Sequence, residues 1–392
     1  MRAVRLLRVY MLLLWAITQA TTWAVFYRHH TTRGVGDWLI SYQAGWTRRG
    51  LLGEGLLALA RGLGVNPGLL VWLLWGLLYA LFLGALYLLL REQNLKPYVW
   101  LLASPFALAF PLHSLLKGAP VRKEWLYLTL LAWLVLAARR LPRRKFRAGF
   151  AAALVLLVLS GLAHEMLLLF LPYVWVVGVW RLEPAVLRRW AGWSLLLAGA
   201  VGLAVVLPGP LSPAQVQRLY AAVEQAGYIL AQREPHDPFM VLTWDIRDAW
   251  AFSQAFWQAR GGWLVALGRC LATVGLMAWA YIPLWPRLRA VWHKARWWRW
   301  TLGASVVGTL ALMPVAIDWG RFVTTHALSW FILTLLPGLP PGREPWPLPR
   351  SRPWHWLLLA AYALAWRVDF YCLESGNFFS RLLAFWLVHL AR

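Results

Sequence analysis

Residues 36–50 read Gly36-Asp37-Trp38-Leu39-Ile40-Ser41-Tyr42-Gln43-Ala44-Gly45-Trp46-Thr47-Arg48-Arg49-Gly50 and lie between the first two long apolar runs of the chain. Because apolar runs flank it, the stretch is predicted to be a loop at a membrane surface. An acid beside two adjacent arginines is typical of a site that handles phosphate or sugar. The alternative is an interfacial belt, in which Trp and Tyr lie at headgroup depth and Arg contacts lipid phosphate.

The composition on either side of this loop is that of a membrane protein. Of the 392 residues, 61% are hydrophobic and only 14% are charged. Many apolar runs meet or approach the roughly 20 residues that a helix needs to cross a hydrocarbon core of about 30 Å. The runs are continuous rather than alternating, so they predict helices. The expected fold is therefore all-α, a polytopic helical membrane protein in which residues 1–392 form a single transmembrane domain.

About twelve membrane-spanning helices are predicted from the apolar runs. Their predicted bounds are 9–27, 68–90, 97–112, 125–138, 148–163, 166–180, 190–207, 262–284, 300–317, 322–337, 354–368 and 380–391. The first run is too long for the apolar part of a cleaved signal peptide, so it is predicted to be an uncleaved anchor.

The distribution of charge predicts the orientation of these helices. The formal net charge is +24, which in a soluble protein would suggest a nucleic acid partner. Here the basic residues concentrate in short connections on the side of the N-terminus, most densely at 139–145 and 287–299. Lys and Arg near helix ends favour the cytoplasmic side, so both termini are predicted to be cytoplasmic. Membrane lipids are the expected contact of these residues, and no nucleic acid partner is predicted.

Two extracytoplasmic loops are longer than ordinary connections. The first, residues 28–67, contains a short, mildly amphipathic segment at 51–63 that is predicted to lie in the membrane interface. The second, residues 208–261, is predicted to contain two amphipathic helices. One begins at Ser212-Pro213 and the other covers 245–260. This second loop is expected to act as a lid or a platform over the membrane surface.

Two cations mark the outer end of the predicted fourth helix. Arg122 and Lys123 precede that helix and run against the preference for cytoplasmic positive charge, so a compensating anion is expected. Phosphate is the natural partner, because a guanidinium binds it in a bidentate fork and an ammonium binds it as a point charge. Contact with lipid headgroups is the alternative.

Two tight outer turns carry further ionisable residues. His164 and Glu165 interrupt an apolar hairpin, where an ionisable pair is costly and normally faces the protein interior, for function or for structure. Asp318 and Arg321 lie in a sharp turn between two predicted helices. These two residues could contribute to the same site or form a local salt bridge.

Other kinds of site have little support in the sequence. Cys270 and Cys372 form no disulfide framework and have no metal-ligand spacing, so both are expected to be ordinary apolar residues. The chain has no phosphate-binding loop of the Walker type, no His-Glu-x-x-His motif and no dinucleotide fingerprint. Neither a metal site nor a cofactor is predicted, and a divalent metal is not indicated.

The chain resembles the integral-membrane glycosyltransferases of the GT-C superfamily in three features. These are the position of Asp37 just after the first helix, the interface segment at 51–63 and the outer loop at 208–261. The resemblance implies transfer of a sugar or glycan from a polyprenyl-phosphate or polyprenyl-diphosphate donor to a glycan, lipid or protein acceptor. It also implies cell-envelope polysaccharide or glycoconjugate assembly at the outer face of a bacterial-type cytoplasmic (inner) membrane. The chain departs from the family pattern because its first loop lacks an Asp-x-Asp motif or an Asp-Glu pair, which leaves Asp37 as the acid to carry over.

Roles follow for each candidate residue. Asp37 is predicted to act as general base on the acceptor hydroxyl or to orient it, and His164 with Glu165 completes the predicted catalytic group. The predicted substrate-binding residues are Arg48, Arg49, Arg122, Lys123, Asp318, Arg321, Trp38, Tyr42 and Trp46. The cations would neutralise the departing lipid phosphate, and the aromatic residues would stack on sugars or hold lipid.

Three alternatives remain open from the sequence. A polysaccharide polymerase or ligase of the O-antigen type would use similar outward arginines. A lipid or glycolipid transporter or flippase would place charges near the bilayer midplane, whereas these gather at one face. A non-catalytic assembly subunit would leave the outer arginines unexplained.

Overall fold

The computed structural model describes residues 2–23, 34–107, 121–228, 237–343, 353–369 and 371–374. These residues form a predominantly helical structure with one small antiparallel hairpin, in agreement with the expected fold class. The predicted helix at 380–391 lies outside the described residues, as do parts of the predicted helices at 9–27 and 97–112 and of the first and second outer loops.

Most of the described residues lie in α-helices, and several consecutive helices are joined by short turns. The α-helices are α1 (Arg2–Thr22), α2 (Val35–Leu39), α3 (Gly50–Leu63), α4 (Pro67–Leu90), α5 (Val99–Ala103), α6 (Glu124–Arg140), α7 (Arg143–Ser160), α8 (Leu171–Gly178), α9 (Pro184–Val206), α10 (Pro213–Gln225), α11 (Ile246–Gln258), α12 (Gly262–Tyr281), α13 (Trp285–Lys294), α14 (Arg299–Leu312), α15 (Trp319–Leu333) and α16 (Pro353–Leu364). Short 3₁₀ segments cover Lys96–Tyr98, Glu165–Phe170, Met240–Thr243, Ile282–Leu284 and Met313–Val315. The strands are β1 (Arg367–Asp369) and β2 (Cys372–Glu374).

Four of these helical segments are long and apolar enough to cross a membrane: Ala3–Thr22, Pro67–Leu90, Pro184–Val206 and Gly262–Lys294. Large apolar side chains on them are exposed, as expected for surfaces that face lipid, and Leu264 at the start of α12 is 84% exposed. Other helices at predicted spans, such as α8 and α14, are shorter, so the structure supports membrane character but not the predicted number of spans.

The most buried of the four is α4, which packs against α1 and α6. Trp125 at the start of α6 packs edge-on against Tyr79 and Phe82 of α4, with ring centroids 5.0 and 5.1 Å apart. On the other side, Trp15 of α1 donates a hydrogen bond to the carbonyl oxygen of Gly76 at 3.0 Å. These contacts fix the start of α6, which carries part of the candidate site.

The first outer loop is more ordered than the sequence predicts. Residues 35–39 form the buried helix α2, which was not expected, and α3 covers the segment predicted to lie in the interface. One face of α3 is buried through Leu57 and its neighbours, while Leu59 and Leu63 are exposed. At Gly53, α3 approaches the backbone so closely that a Cβ atom would overlap the carbonyl group of Ile40.

The second outer loop contains two capped helices that lie where the sequence predicts them. Ser212 and Asp245 each close a capping box at the start of α10 and α11. Hydrogen bonds join this loop to the first one: Arg48 Nη2 donates to the Val241 oxygen at 2.7 Å, and Gln215 Nε2 donates to the Ala44 oxygen at 3.2 Å.

Cys270 and Cys372 form a disulfide bond, with Cα atoms 5.1 Å apart. The sequence-based expectation of two unpaired cysteines is therefore wrong. The two residues are 102 positions apart, and only the packing of β2 against α12 brings them together. The bond ties the hairpin to the end of α12 that follows the second outer loop, next to Trp257 and Trp319.

Candidate functional site

A cluster of ionisable side chains lies where α6 and α15 begin. We call it the charged cluster, and its members are Asp37, Arg49, Arg122, Lys123, Glu124, His164, Glu165, Asp318 and Arg321. They come from the first outer loop, the start of α6, the turn after α7 and the start of α15. The predicted orientation of the helices places these residues on one side of the membrane, although it does not predict which side chains are in contact.

Asp37 lies between two cations. Its Oδ1 is 3.6 Å from Arg49 Nη1 and its Oδ2 is 3.6 Å from Lys123 Nζ. The short helix α2 holds Asp37 in the interior, where only 3% of the residue is exposed. Burial alone would raise the pKa of the Asp37 carboxyl, but the charges of Lys123 and Arg49 outweigh it and hold the pKa well below its usual range. Asp37 is therefore a carboxylate at neutral pH.

Arg49 makes a bidentate ion pair with Glu165. Its Nε donates to Glu165 Oε2 at 3.0 Å, and its Nη2 donates to Oε1 at 2.6 Å. The backbone of Arg49 is left-handed, with φ of 68°, which lets the chain turn sharply before α3. Lys123 Nζ donates to the Ala163 oxygen at 2.9 Å. Arg49 of the first outer loop and Lys123, just before α6, are thus both anchored to the turn after α7.

Arg321 connects three partners at the start of α15. Its Nε donates to Glu124 Oε1 at 3.0 Å, its Nη1 donates to Asp318 Oδ2 at 2.5 Å, and its Nη2 also contacts Glu124 Oε1. The Nη2 atom is 3.1 Å from His164 Nε2. Burial opposes ionisation of Glu124, but the charge of Arg321 dominates and lowers the pKa of that carboxyl to about 2.

The contact with Arg321 determines the tautomer of His164. A guanidinium only donates hydrogen bonds, so His164 Nε2 is the acceptor and the ring proton is on Nδ1. Burial and then the charge of Arg49 lower the pKa of His164, which keeps the ring neutral at pH 7. The protonated Nδ1 lies 3.8 Å from Glu165 Oε2. In this arrangement His164 Nε2 has no proton to give to a substrate.

The predicted aromatic residues divide into a buried and an exposed group. Trp38 is fully buried and donates its Nε1 hydrogen to the Val121 oxygen at 3.0 Å, so it has a structural contact. Tyr42 and Trp46 stack on each other with centroids 4.7 Å apart, and Trp46 is 49% exposed. Trp46 also donates to the Ala204 oxygen at the end of α9. Of the three, the Tyr42–Trp46 pair offers an exposed aromatic face.

Sequence reasoning missed two features of the site. Glu124, which follows Lys123, carries no predicted role, although its carboxylate is the partner of Arg321. Arg48 was expected to bind substrate beside Arg49. The structure turns Arg48 towards the Val241 oxygen of the second outer loop instead. Neither feature has a local signal, because both depend on segments more than 190 positions apart.

The formal charges of the cluster are balanced. Four cations (Arg49, Arg122, Lys123, Arg321) face four carboxylates (Asp37, Glu124, Glu165, Asp318) around the neutral His164. Even so, burial and then the charge of Arg321 lower the pKa of Arg122. A negative charge bound beside Arg122 would oppose this lowering.

No known protein family, curated protein or solved structure matches the chain. Within the described residues, no group of three or more His, Cys, Asp or Glu side chains is arranged to hold a metal ion.

Proposed function

We propose that the protein is a membrane glycosyltransferase that moves a sugar or glycan from a polyprenyl-phosphate or polyprenyl-diphosphate donor to an acceptor. The observation that carries this proposal is the position of Asp37 between Arg49 and Lys123, next to the Glu124–Arg321 pair. One buried carboxylate surrounded by fixed cations offers both an acceptor for a hydroxyl proton and a site for a phosphate group.

The cations account for the donor. Arg122, Lys123 and Arg321 are arranged around the start of α6 and α15, and a phosphate bound there would gain charge-assisted hydrogen bonds. As the bond to the sugar breaks, negative charge grows on the phosphate oxygens. Cations held in place before the reaction stabilise that charge without reorganising, which is often the largest contribution to rate.

Asp37 accounts for the acceptor. Its lowered pKa makes it a weak base but a permanent hydrogen-bond acceptor, suited to orienting an acceptor hydroxyl. A phosphate bound to Arg49 or Lys123 would weaken the effect of those cations and raise the pKa of Asp37. Asp37 would then become a stronger base only when the donor is bound.

The orientation rests on several independent features. The opposite ends of α6 and α7 carry Arg139 and Arg143, and Arg139 pairs with Glu92 at 3.3 Å. This end is proposed to be cytoplasmic, with both termini, and about twelve spans are proposed in total. The Cys270–Cys372 disulfide packs with Trp319, which follows Asp318 of the charged cluster, and disulfides persist in oxidising compartments. We therefore propose that the cluster faces the outside of a bacterial-type cytoplasmic membrane.

The second outer loop fits a covering role. Gln215 of this loop donates to the Ala44 oxygen, and the Val241 oxygen of this loop accepts from Arg48. These two hydrogen bonds dock the second loop on the first loop, which holds Asp37. A polysaccharide polymerase or ligase of the O-antigen type would use the same cations and differ only in its acceptor. The concentration of charge at one end of the helices supports transfer over transport, because a flippase needs charged groups near the bilayer midplane.

The replacement Asp37→Asn tests the proposal. It preserves the shape of the side chain and removes the charge, so we expect glycan transfer to fall by about 100-fold or more. Each variant is expressed in a strain from which the gene for this protein has been deleted. Transfer in membranes of that strain is measured by mass spectrometry as the loss of the host's own lipid-linked sugars. The melting temperature of the purified protein reports folding, and Glu183→Gln, an exposed acid paired with Arg143, serves as the control. Full transfer by a folded Asp37→Asn protein would contradict the role of Asp37.

A further inference from the structure

The two carboxylate oxygens of Glu124 have different surroundings. Oε1 accepts hydrogen bonds from Nε and Nη2 of Arg321. Oε2 is buried, and no described residue donates a hydrogen bond to it. Only 4% of the whole residue is exposed. Glu124 is thus half-satisfied, in a position where buried polar atoms almost always have partners.

The chemistry of Oε2 requires a donor. Glu124 is ionised, since Arg321 holds its pKa far below neutral pH, and an ionised carboxylate can only accept hydrogen bonds. Leaving such an atom buried without a donor is costly, so a group that supplies a proton-bearing oxygen or nitrogen is expected to bind there during function.

Donors on the neighbouring side chains are directed to other atoms. Lys123 Nζ donates to the Ala163 oxygen, and Arg321 donates to Glu124 Oε1 and to Asp318. His164 Nε2, 3.8 Å from Oε1, is an acceptor in the tautomer that Arg321 imposes. The charge of Arg122 acts on the Glu124 carboxylate, but no hydrogen bond joins Arg122 to Oε2. A neutral hydroxyl would supply the donor that Oε2 lacks, whereas a phosphate would be repelled by the carboxylate.

We propose that Glu124 Oε2 accepts a hydrogen bond from a hydroxyl group of the sugar substrates. This inference rests on the proposed function and adds a second carboxylate to its site. Because the other oxygen of Glu124 is fixed by Arg321, the carboxylate cannot rotate away, and the hydroxyl is held at a defined distance from the cation that faces the phosphate. Glu124 would therefore bind the hydroxyl through Oε2 while its Oε1 holds the Arg321 guanidinium that faces the phosphate.

The test is the replacement Glu124→Gln. The glutamine oxygen still accepts from Arg321, so the amide nitrogen takes the place of Oε2 and donates where an acceptor is needed. We expect binding of undecaprenyl monophosphate to the purified protein to stay within about threefold of wild type or to become tighter, because a negative charge is removed beside the cations. Transfer in deletion-strain membranes is expected to fall at least about tenfold, as for loss of a hydrogen bond to a charged group.

The outcomes separate this inference from the proposed function. Wild-type protein that fails to bind undecaprenyl monophosphate would overturn the proposed function and this inference with it. Wild-type binding with unchanged transfer by Glu124→Gln would overturn only the inference. Loss of both binding and transfer would also overturn it, because Glu124 would then serve only to hold Arg321. If Glu124→Gln does not fold, Glu124→Asp replaces it, since a shorter carboxylate keeps the charge and withdraws Oε2, and the same outcomes apply.

A second comparison identifies the source of the hydroxyl. Wild type and Glu124→Gln are each tested for binding of undecaprenyl monophosphate and of sugar-loaded lipids extracted from the source membranes. If the hydroxyl belongs to the donor sugar, wild type prefers the sugar-loaded lipid and the variant loses that preference. If it belongs to the acceptor, the preference is unchanged and the defect is confined to transfer.

Discussion

The protonation of Asp37 and Glu124 in the charged cluster is controlled by the cations beside them. Asp37 depends on Lys123 and Arg49, and Glu124 depends on Arg321. Because these carboxyls stay ionised, the cluster keeps its cations in place without being neutralised by protons at ordinary pH. A substrate phosphate then has to compete with fixed carboxylates, which favours a ligand with several negative oxygens over a single weak anion.

The ion pair of Arg49 and Glu165 predicts a specific pH dependence of stability. Burial alone would raise the pKa of the Glu165 carboxyl, but the charge of Arg49 lowers it well below its ordinary value of about 4.5. A carboxyl with a lowered pKa in the folded state stabilises the fold above the unfolded pKa, and this stabilisation is lost as pH falls from about 4.5 towards the folded pKa. Glu165→Gln should therefore lower the melting temperature at pH 7 and flatten its decline below pH 4.5.

The measurement is the melting temperature in detergent between pH 7 and pH 3. Wild type and Glu183→Gln share an earlier decline below about pH 6.5, because burial lowers the pKa of His164 in the fold. Glu165→Gln should show a larger decline there, because Glu165 raises the pKa of His164 in the wild-type protein. Glu183→Gln removes an exposed acid whose side chain is 64% exposed, and its curve should run parallel to wild type. A Glu165→Gln curve that also runs parallel to wild type would contradict the importance of the ion pair.

The helix α3 fixes the shape of the first outer loop. Arg49 precedes its first residue, and Glu54 on its second turn accepts a hydrogen bond from the Tyr42 backbone nitrogen at 3.0 Å. Contact between Gly53 and the carbonyl group of Ile40 brings the two parts of the loop together. The position of Arg49 beside Asp37 thus depends on how closely α3 can pack.

Two glycines of α3 provide a matched test of this packing. Gly53→Ala would place a methyl group against the Ile40 carbonyl, and we expect it to cost about 1–3 kcal/mol and to weaken binding of undecaprenyl monophosphate. Gly55→Ala meets open space and should be neutral or slightly stabilising, because alanine favours the helix. Thermal unfolding and lipid binding of the two variants are compared, and equal behaviour would show that the close approach does not position the loop.

Several features of these elements could be predicted from the sequence, and others could not. The capping residues Ser212 and Asp245 mark helix starts locally, so α10 and α11 lie at the predicted places. The helix α2 was missed because its five residues carry no repeating apolar pattern. The Cys270–Cys372 bond was missed because it depends on contact between distant segments.

The distribution of charge over the protein gives its two ends different properties. One end carries the charged cluster and the disulfide, and the other carries the arginines at the end of α6 and at the start of α7. The predicted orientation of the helices places Asp37, Arg122, His164 and Arg321 at the same membrane face. It therefore predicts that they lie near one another, because the turns that carry them are tight. The Glu124–Arg321 pair that organises half of the cluster required the packing of α6 against α15.

The phosphate site can be located in a structure of the protein in lipid nanodiscs with bound undecaprenyl monophosphate. We expect the phosphate to lie within hydrogen-bonding distance of Lys123, Arg122 or Arg321, on the same side as the Cys270–Cys372 disulfide. A structure at saturating lipid concentration that shows the phosphate elsewhere, with the charged cluster unchanged, would contradict this expectation.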